Sequence, residues 1–210
     1  EVEAGYADYM VKFVDTEIVT YFWNRLAGNE LKKCYQDIEF YFNIREQDRF
    51  EIKSKVLNLI EKAKYRIDIE MAYFGDKDIT EKIISAVERG VNVTIITSKD
   101  SNVQHSLNQQ VLQKMISNSN GEIKVYLSNR LIHSKLMCID RKDLFLGSAN
   151  FHKLGMSKLS ELNILIKNAD KLCDKWKAWR KELLQESKLI SQQEKLTYNI
   201  LVALTERVVC

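Results

Sequence analysis

Proline is absent from these 210 residues, and only seven residues are glycine. Because these two residue types form many tight turns, the turns must rely on the few glycines and on Asn, Asp and Ser. The four cysteines are far apart and include no C-x-x-C pair: Cys34, Cys138, Cys173 and Cys210. This spacing argues against a zinc site and against a disulfide framework. We therefore interpret them as mostly buried thiols of a reducing compartment.

The sequence also lacks a long apolar run and a large excess of one charge. No segment has 18 or more uncharged apolar residues, so none is predicted to span a bilayer. The 32 Lys and Arg nearly balance the 29 Asp and Glu, and this balance does not indicate dedicated binding to nucleic acid or to an anionic membrane. The first ten residues are acidic, unlike a signal peptide, and begin without Met. We expect a fragment of a longer chain.

Strands and helices alternate through the middle of the sequence. Amphipathic segments predict helices at 77–89 and 102–119. Apolar or β-branched segments predict strands at 38–42, 66–73, 91–97, 122–127, 135–140, 144–146 and 161–166. Alternation of this kind predicts an α/β fold in which helices pack on a sheet.

Further helices are predicted at 49–64, 170–186 and 189–208. The last of these segments carries apolar residues along one side. Such a stripe is more typical of a packing face than of a helix lying on a membrane.

The segment His133-Ser-Lys135 and the later Gly147-Ser-Ala-Asn150 carry the most chemical information. On a strand, His133 and Lys135 would point to the same face and share one site. Backbone N–H groups and the hydroxyl of Gly147-Ser148, with the Asn150 amide, could donate to anionic oxygens. Phosphoryl transfer through a covalent histidine needs such a set. A buried histidine beside a snorkelling lysine on an ordinary strand is the alternative interpretation of H-x-K alone.

At these residues the sequence resembles a known family. H-x-K-x4-D followed by G-S-x-N is the HKD signature of the phospholipase D superfamily. The matching residues are His133, Lys135, Asp140, Gly147, Ser148 and Asn150. Glu161 stands where the family pattern continues to a glutamate. Segments at 63–64, 73–74 and 88–93 resemble the family's upstream framework.

The resemblance covers about residues 38–187 and implies a phospholipase D-type fold, with a mixed sheet flanked by helices in an α-β-α sandwich. It implies that a motif histidine such as His133 forms a phosphohistidine or acts as the paired acid. Lys135 and Asn150 would hold phosphate oxygens, and Glu161 would accept from the second nitrogen of a motif histidine. Asp140 would brace the motif lysine and nearby backbone, with Gly147 and Ser148 in support.

The mechanism that the resemblance implies requires no metal and no cofactor. Tyr73 and Phe74, at the carboxyl end of a strand, are candidate pocket-wall residues. His105 and His152, the other two histidines, are expected at the surface.

The expected substrate is a phospholipid or another phosphodiester, with peripheral membrane association or a soluble location in a reducing compartment. The alternative is an endonuclease of the same fold, which would bind nucleic acid. A binding module with a degenerate site is a third class, disfavoured by the complete motif. Residues 151–161 lack the Asp, Arg and Asn that lipid-acting members often carry there, which weakens the transfer of one specific lipid.

The family's active site combines two HKD motifs, yet this sequence holds one. A second half is therefore expected, either a missing N-terminal half or a homodimer partner. Residues 1–37, from Tyr6-Ala-Asp8 to Phe22-Trp23, resemble the segment that follows a first motif and favour the missing half. The alternative is an N-terminal strand and helix of no such ancestry. We expect this tail at 1–37, the HKD domain at 38–187 and a C-terminal helix at 188–210.

Overall fold

The computed structural model describes residues 6–29, 34–101 and 104–209. Its strands are β1 (Tyr6–Ala7), β2 (Ile38–Ile44), β3 (Arg49–Phe50), β4 (Arg66–Met71), β5 (Asn92–Ser98), β6 (Lys124–Ser128), β7 (Leu131–Ile132), β8 (Lys135–Ile139), β9 (Asp143–Gly147), β10 (Glu161–Ile166) and β11 (Ser187–Ile190). Its helices are α1 (Thr16–Leu26), α2 (Ile52–Lys62), α3 (Lys77–Glu88), α4 (His105–Asn118), α5 (Lys153–Ser157), α6 (Asp170–Gln185) and α7 (Ile200–Val209).

Nine strands form one mixed sheet in the order β11-β6-β5-β4-β8-β9-β10-β2-β3. The neighbours β4, β5 and β6 are parallel, as expected for strands joined by the crossover helices α3 and α4. The remaining neighbours are antiparallel. The strands β1 and β7 form a separate parallel pair. The predicted mixed sheet flanked by helices is confirmed.

Helices cover both faces of the sheet. Alternation along β4 sends Ile67, Ile69 and Met71 into the main core, beneath α2, α3 and α4. Asp68 and Glu70 point to the opposite face, which α6 covers. The helix α1 packs farther along that second face, against Phe40 and Phe42 of β2. The layers therefore form an α-β-α sandwich.

The prediction of one helix over 189–208 is wrong in its first part. Leu189 and Ile190 belong to β11, which pairs with Tyr126 and Val125 at the free edge of β6. Pairing with the free edge of β6 therefore determines the structure of this segment, although its apolar residues have helical spacing. The helix α7 begins only at Ile200.

The cysteine prediction holds in part. Cys138 and Cys173 are buried thiols, whereas Cys34 is half-buried and Cys210 lies outside the described residues. None of the helices in the described ranges has the length and apolar character that crossing a bilayer requires.

Gly147 is a residue of β9 that lies very close to the backbone of β10. A methyl group at this position would stand 2.1 Å from the Leu162 carbonyl oxygen and 2.6 Å from the Asn163 Cα atom. Both atoms belong to the backbone of β10 and cannot rotate away. Only a residue without a side chain fits here.

We expect Gly147→Ala to lower the free energy of unfolding by at least about 3 kcal/mol, the upper part of the range for overpacking. Urea denaturation measures this loss. Gly90→Ala is the matched control, because no atom lies within 4 Å of its added methyl group and only the left-handed φ of +84° opposes the change. That backbone cost is about 1–2 kcal/mol. Equal losses in the two variants would contradict the close-approach argument.

Candidate active site

A cavity of about 430 Å³ opens at the end of the sheet where β8 begins and β9 ends. It is lined by Asp8, Tyr9, Val11, His133, Lys135, Leu146, Gly147, Ser148, Asn150, Leu162 and Ile164. The lining residues come from four separate parts of the chain, and five of them belong to the predicted set: His133, Lys135, Gly147, Ser148 and Asn150. Glu161 borders this group through its contact with Ser148.

His133 and Lys135 do not share a strand, in contrast to the sequence prediction. His133 and Ser134 lie in a break between β7 and β8, and Lys135 is the first residue of β8. The break forms because the N–H groups of both His133 and Ser134 donate to one acceptor, the carbonyl oxygen of Ala7, at 2.9 Å each. The two side chains nevertheless line the same cavity.

The carboxylate partner of His133 is Asp8, at 2.9 Å between Nδ1 and Oδ2. A carboxylate only accepts hydrogen bonds, so Nδ1 carries the proton of this contact. In the neutral imidazole, Nε2 then holds the free lone pair. Sequence reasoning did not assign this role to Asp8, although the Tyr6-Ala-Asp8 resemblance was the available signal. Both side chains are 55% exposed.

The hydrogen-bond partner of Glu161 among the described residues is Ser148. The pairing of Glu161 with a motif histidine stays a prediction. The Ser148 hydroxyl donates to its carboxylate and also accepts from the N–H of Leu162, at 3.1 Å. Burial raises the pKa of Glu161, and the Ser148 hydrogen bond and the Lys135 charge oppose that rise. In the described chain, Glu161 is thus paired with Ser148 while Asp8 pairs with His133.

Lys135 is nearly fully buried, with 7% of its surface exposed. Its ammonium donates to the carbonyl oxygen of His133. Burial lowers the pKa of Lys135, while the charges of Asp8 and Glu161 oppose the change. An anion bound in the adjoining cavity would stabilise a buried ammonium of this kind.

The backbone N–H of Ser148 is not available as an anion donor, because it donates to the Leu162 carbonyl oxygen at 3.0 Å. Asn150 lines the cavity, and its Oδ1 atom is buried with no hydrogen-bond partner in the part of the chain that the structure describes. The Ser148 hydroxyl donates to Glu161, so the Asn150 amide and the Lys135 ammonium remain as the candidate side-chain donors to a phosphate oxygen.

Asp140 lies at the far end of β8 from Lys135. Its carboxylate accepts from the backbone N–H groups of Lys64, Tyr65 and Arg66, at 2.8–3.0 Å. Asp140 therefore braces the start of β4. The part of the prediction that placed it against Lys135 is wrong, since the two residues stand at opposite ends of one strand.

Tyr73 and Phe74 do not line the cavity, in contrast to the predicted pocket wall. The Phe74 ring is fully buried in the core, where it packs edge-on against Phe151 at 6.0 Å. The Tyr73 ring packs against His152. The N–H of Phe74 donates to the side chain of Asn108 at 3.0 Å, which holds the backbone after β4 against α4.

His152 is buried, so the surface position expected for it is wrong. Its Nδ1 atom accepts from the N–H of Gly155 at 3.2 Å and caps α5. Burial lowers the pKa of His152 to about 4, with a further contribution from the positive charge of Lys135. His105 is half-exposed at the start of α4, where Nδ1 lies 3.3 Å from the Ser101 hydroxyl.

Within the described ranges, no three His, Cys, Asp or Glu side chains come together in a way that could ligate a metal ion.

Comparisons with known proteins identify a family and a shared fold. The protein family described as "Cardiolipin synthase, PLD-like domain" matches residues 56–184. Phospholipase D Y of Dictyostelium discoideum is 30% identical over 104 residues, which are 48% of this chain and 24% of that protein. The chain thus spans about a quarter of this curated relative.

Two of the solved structures that share the fold illustrate the likeness. Nuc of Salmonella typhimurium, a phospholipase D family member, superposes with a TM-score of 0.64 and 24% identity, over 73% of this chain and 97% of Nuc. The phosphatidylserine synthase of Haemophilus influenzae superposes with a TM-score of 0.70 and 15% identity, over 95% of this chain and 56% of the synthase.

The buried state of His152 predicts an acid-dependent loss of stability. Its pKa is about 4 in the folded protein and about 6.5 in an unfolded chain. The unfolded chain therefore binds more protons between these values, and stability falls as the pH falls through that window. We expect this residue to account for a loss of up to about 3 kcal/mol in the free energy of unfolding between about pH 6.5 and pH 4.

Urea denaturation of His152→Asn tests this, because asparagine still caps a helix but does not titrate. The variant should lack this part of the acid-dependent loss, whereas His105→Asn should keep it. Identical pH dependence in the wild-type protein and His152→Asn would contradict the assignment.

Proposed function

This chain belongs to the phospholipase D superfamily, and from that membership we propose that it forms one half of a phosphodiesterase active site that acts on a phospholipid through a phosphohistidine. Members of the superfamily are phosphodiesterases. The observation that carries the proposal is the His133–Asp8 pair, which lines one cavity together with Lys135 and Asn150. Hydrolysis and transfer to an alcohol use the same first step.

In that step, a motif histidine attacks phosphorus through Nε2. An N–P bond forms, the P–O bond to the leaving alcohol breaks, and a second histidine protonates that oxygen. Water or an acceptor alcohol then attacks phosphorus, gives its proton to the second histidine and breaks the N–P bond. His133 suits either role, since Asp8 accepts from Nδ1 and leaves Nε2 free for phosphorus or for a proton.

The phosphate oxygens would bind to Lys135 and Asn150. A phosphodiester anion in the cavity would offset the cost of burying the Lys135 ammonium. Gly147 and Ser148 would act indirectly, Gly147 by admitting the backbone of β10 and Ser148 by orienting Glu161. Asp140 would support the far end of β8.

Glu161 would serve the histidine of a second motif. His133 already has a carboxylate partner in Asp8, and Glu161 is an acidic residue beside the same cavity that contacts no imidazole in the described chain. A second histidine facing His133 would need a carboxylate of its own to hold its tautomer. This pairing would make the site complete only when a second HKD half is present.

A phospholipid is favoured over nucleic acid by the lining of the cavity. Val11, Leu146, Leu162 and Ile164 form its apolar side, and Lys135 is the one Lys or Arg among the lining residues that the structure describes. A nucleic-acid site would need a groove with several cations to follow the phosphate backbone. An apolar wall beside a single phosphate site suits the glycerol and acyl portion of a lipid.

A substrate panel tests this preference on the whole natural protein that contains the chain. We expect release of headgroup from phosphatidylglycerol or phosphatidylcholine vesicles, at a rate at least about tenfold above that on single- or double-stranded DNA, a difference of about 1.4 kcal/mol in the barrier. His133→Asn should lower kcat at least about 10²-fold, the minimum expected for loss of an acid–base group.

His105→Asn is the matched control, because His105 lies at the start of α4 and is not among the lining residues. Excess chelator should change the wild-type rate less than about twofold, well within the tenfold that 1.4 kcal/mol represents. Faster cleavage of DNA would replace the lipid proposal with the nuclease alternative. Full activity of a folded His133→Asn variant would contradict the proposed site.

The requirement for a second half gives a separate prediction. We expect these 210 residues alone to be monomeric and inactive, since one motif supplies one histidine for two roles. Light scattering and activity across a dilution series measure both properties. Activity that follows the dimer fraction would assign the second motif to another copy of this chain, and a fully active monomer would contradict the two-motif requirement.

A further inference from the structure

The contact between Asp8 and His133 is not protected by burial. Each side chain is 55% exposed, and ion pairs or charged hydrogen bonds at such positions hold their geometry weakly. The position of the pair must therefore come from neighbouring residues that are fixed. The backbone fixes part of this position, because the Ala7 carbonyl oxygen accepts from the N–H groups of His133 and Ser134.

The residues that follow the two partners meet at one buried atom. The Tyr9 hydroxyl donates to Oε2 of Glu70 at 2.7 Å, and Tyr9 follows Asp8. The Ser134 hydroxyl donates to the same oxygen at 3.2 Å, and Ser134 follows His133. One carboxylate oxygen thus joins the segment that carries Asp8 to the segment that carries His133.

Glu70 occupies an unusual position for an acidic residue. It is the second-to-last residue of β4 and is fully buried on the face that α6 covers. Burial raises the pKa of Glu70, while the Tyr9 hydroxyl and the charge of Arg180 oppose the rise. Its other oxygen, Oε1, has no hydrogen-bond partner among the described residues. A buried group of charges and hydroxyls of this kind is often no more stable than apolar residues of the same volume in place of the whole group, so a role other than stability is indicated.

We infer that Glu70 is a positioning residue, which accepts from Tyr9 and Ser134 and thereby holds Asp8 against the Nδ1 atom of His133. The clamp consists of Glu70, Tyr9 and Ser134. Its effect on turnover rests on the proposed function of His133, whereas its effect on the imidazole does not. Neither Tyr9 nor Ser134 needs to touch the reacting atoms for this role.

Tyr9→Phe is the main test variant, because it removes the hydroxyl and keeps the ring. Ser134→Ala removes the other donor and serves if Tyr9→Phe does not fold. Tyr41→Phe is the matched control, since Tyr41 is another shielded tyrosine whose hydroxyl donates to a carboxylate, that of Glu39 on β2. Thermal unfolding of each variant checks that the fold is retained.

The first readout is the tautomer of His133, measured by ¹⁵N NMR at alkaline pH on the whole natural protein. Asp8 should hold the neutral ring as the Nδ1–H tautomer in the wild type and in Tyr41→Phe. In Tyr9→Phe and in Ser134→Ala we expect a mixture of both tautomers. An unchanged tautomer in both clamp variants would overturn the inference, whether or not the protein cleaves phosphodiesters.

The second readout is turnover in a double-mutant cycle. Tyr9→Phe should lower kcat about tenfold or more, because small misplacements of a reacting group are costly. The KM value should change less than about twofold, as expected for an interaction that acts on the reacting group and not on substrate binding.

In an Asp8→Ala background, the same change should alter kcat less than about twofold, because Tyr9 would then have no carboxylate to position. An equal tenfold loss in both backgrounds would overturn the inference, since Tyr9 would be acting independently of Asp8. A tautomer that responds as expected in a protein without phosphodiesterase activity would support the clamp and count against the proposed function.

Discussion

The rest of this site depends on the carbonyl oxygen of Ala7, which accepts hydrogen bonds from two backbone N–H groups. His133 and Ser134 interrupt the path from β7 to β8, and the sheet offers their N–H groups no neighbouring strand. Unpaired backbone donors at the edge of a core are costly. Residues 6–9 satisfy them and, in doing so, bring Asp8 to His133 and Tyr9 to Glu70. The segment that precedes the main sheet is therefore part of the site.

Local patterns predicted most of the sheet and its helices. The strands at 66–71 and 161–166 and the helices α3 and α6 lie within a few residues of their expected bounds, because apolar periodicity reports directly which face an element buries. The exception at 189–208 has a specific cause. The free edge of β6 recruits Leu189 and Ile190, and a pattern within one segment carries no information about an edge elsewhere in the fold.

The site was predictable as a set of residues and less so as a set of contacts. The motif spacing identified His133, Lys135, Ser148 and Asn150, and all four line one cavity. The partner of His133 was missed because Asp8 is 125 residues away in the chain. The Ser148 N–H was predicted to donate to a substrate oxygen. It donates instead to the Leu162 carbonyl oxygen of β10, because Gly147 allows the two backbones to approach. Such contacts depend on tertiary packing, which spacing alone does not encode.

Burying the charges of Lys135 and Glu161 beside the cavity costs free energy, and the charges around them offset part of that cost. Burial disfavours the charged forms of both Lys135 and Glu161, as the directions of their pKa shifts show. Each charge partly stabilises the other, so removing one would leave the other buried with less compensation. A bound anion would stabilise Lys135, and a protonated imidazole would stabilise Glu161. Lys135 and Glu161 would thus be stabilised by two different partners. The chain's own histidine, His133, already pairs with Asp8. A phosphodiester and the histidine of a second motif would satisfy both requirements at once.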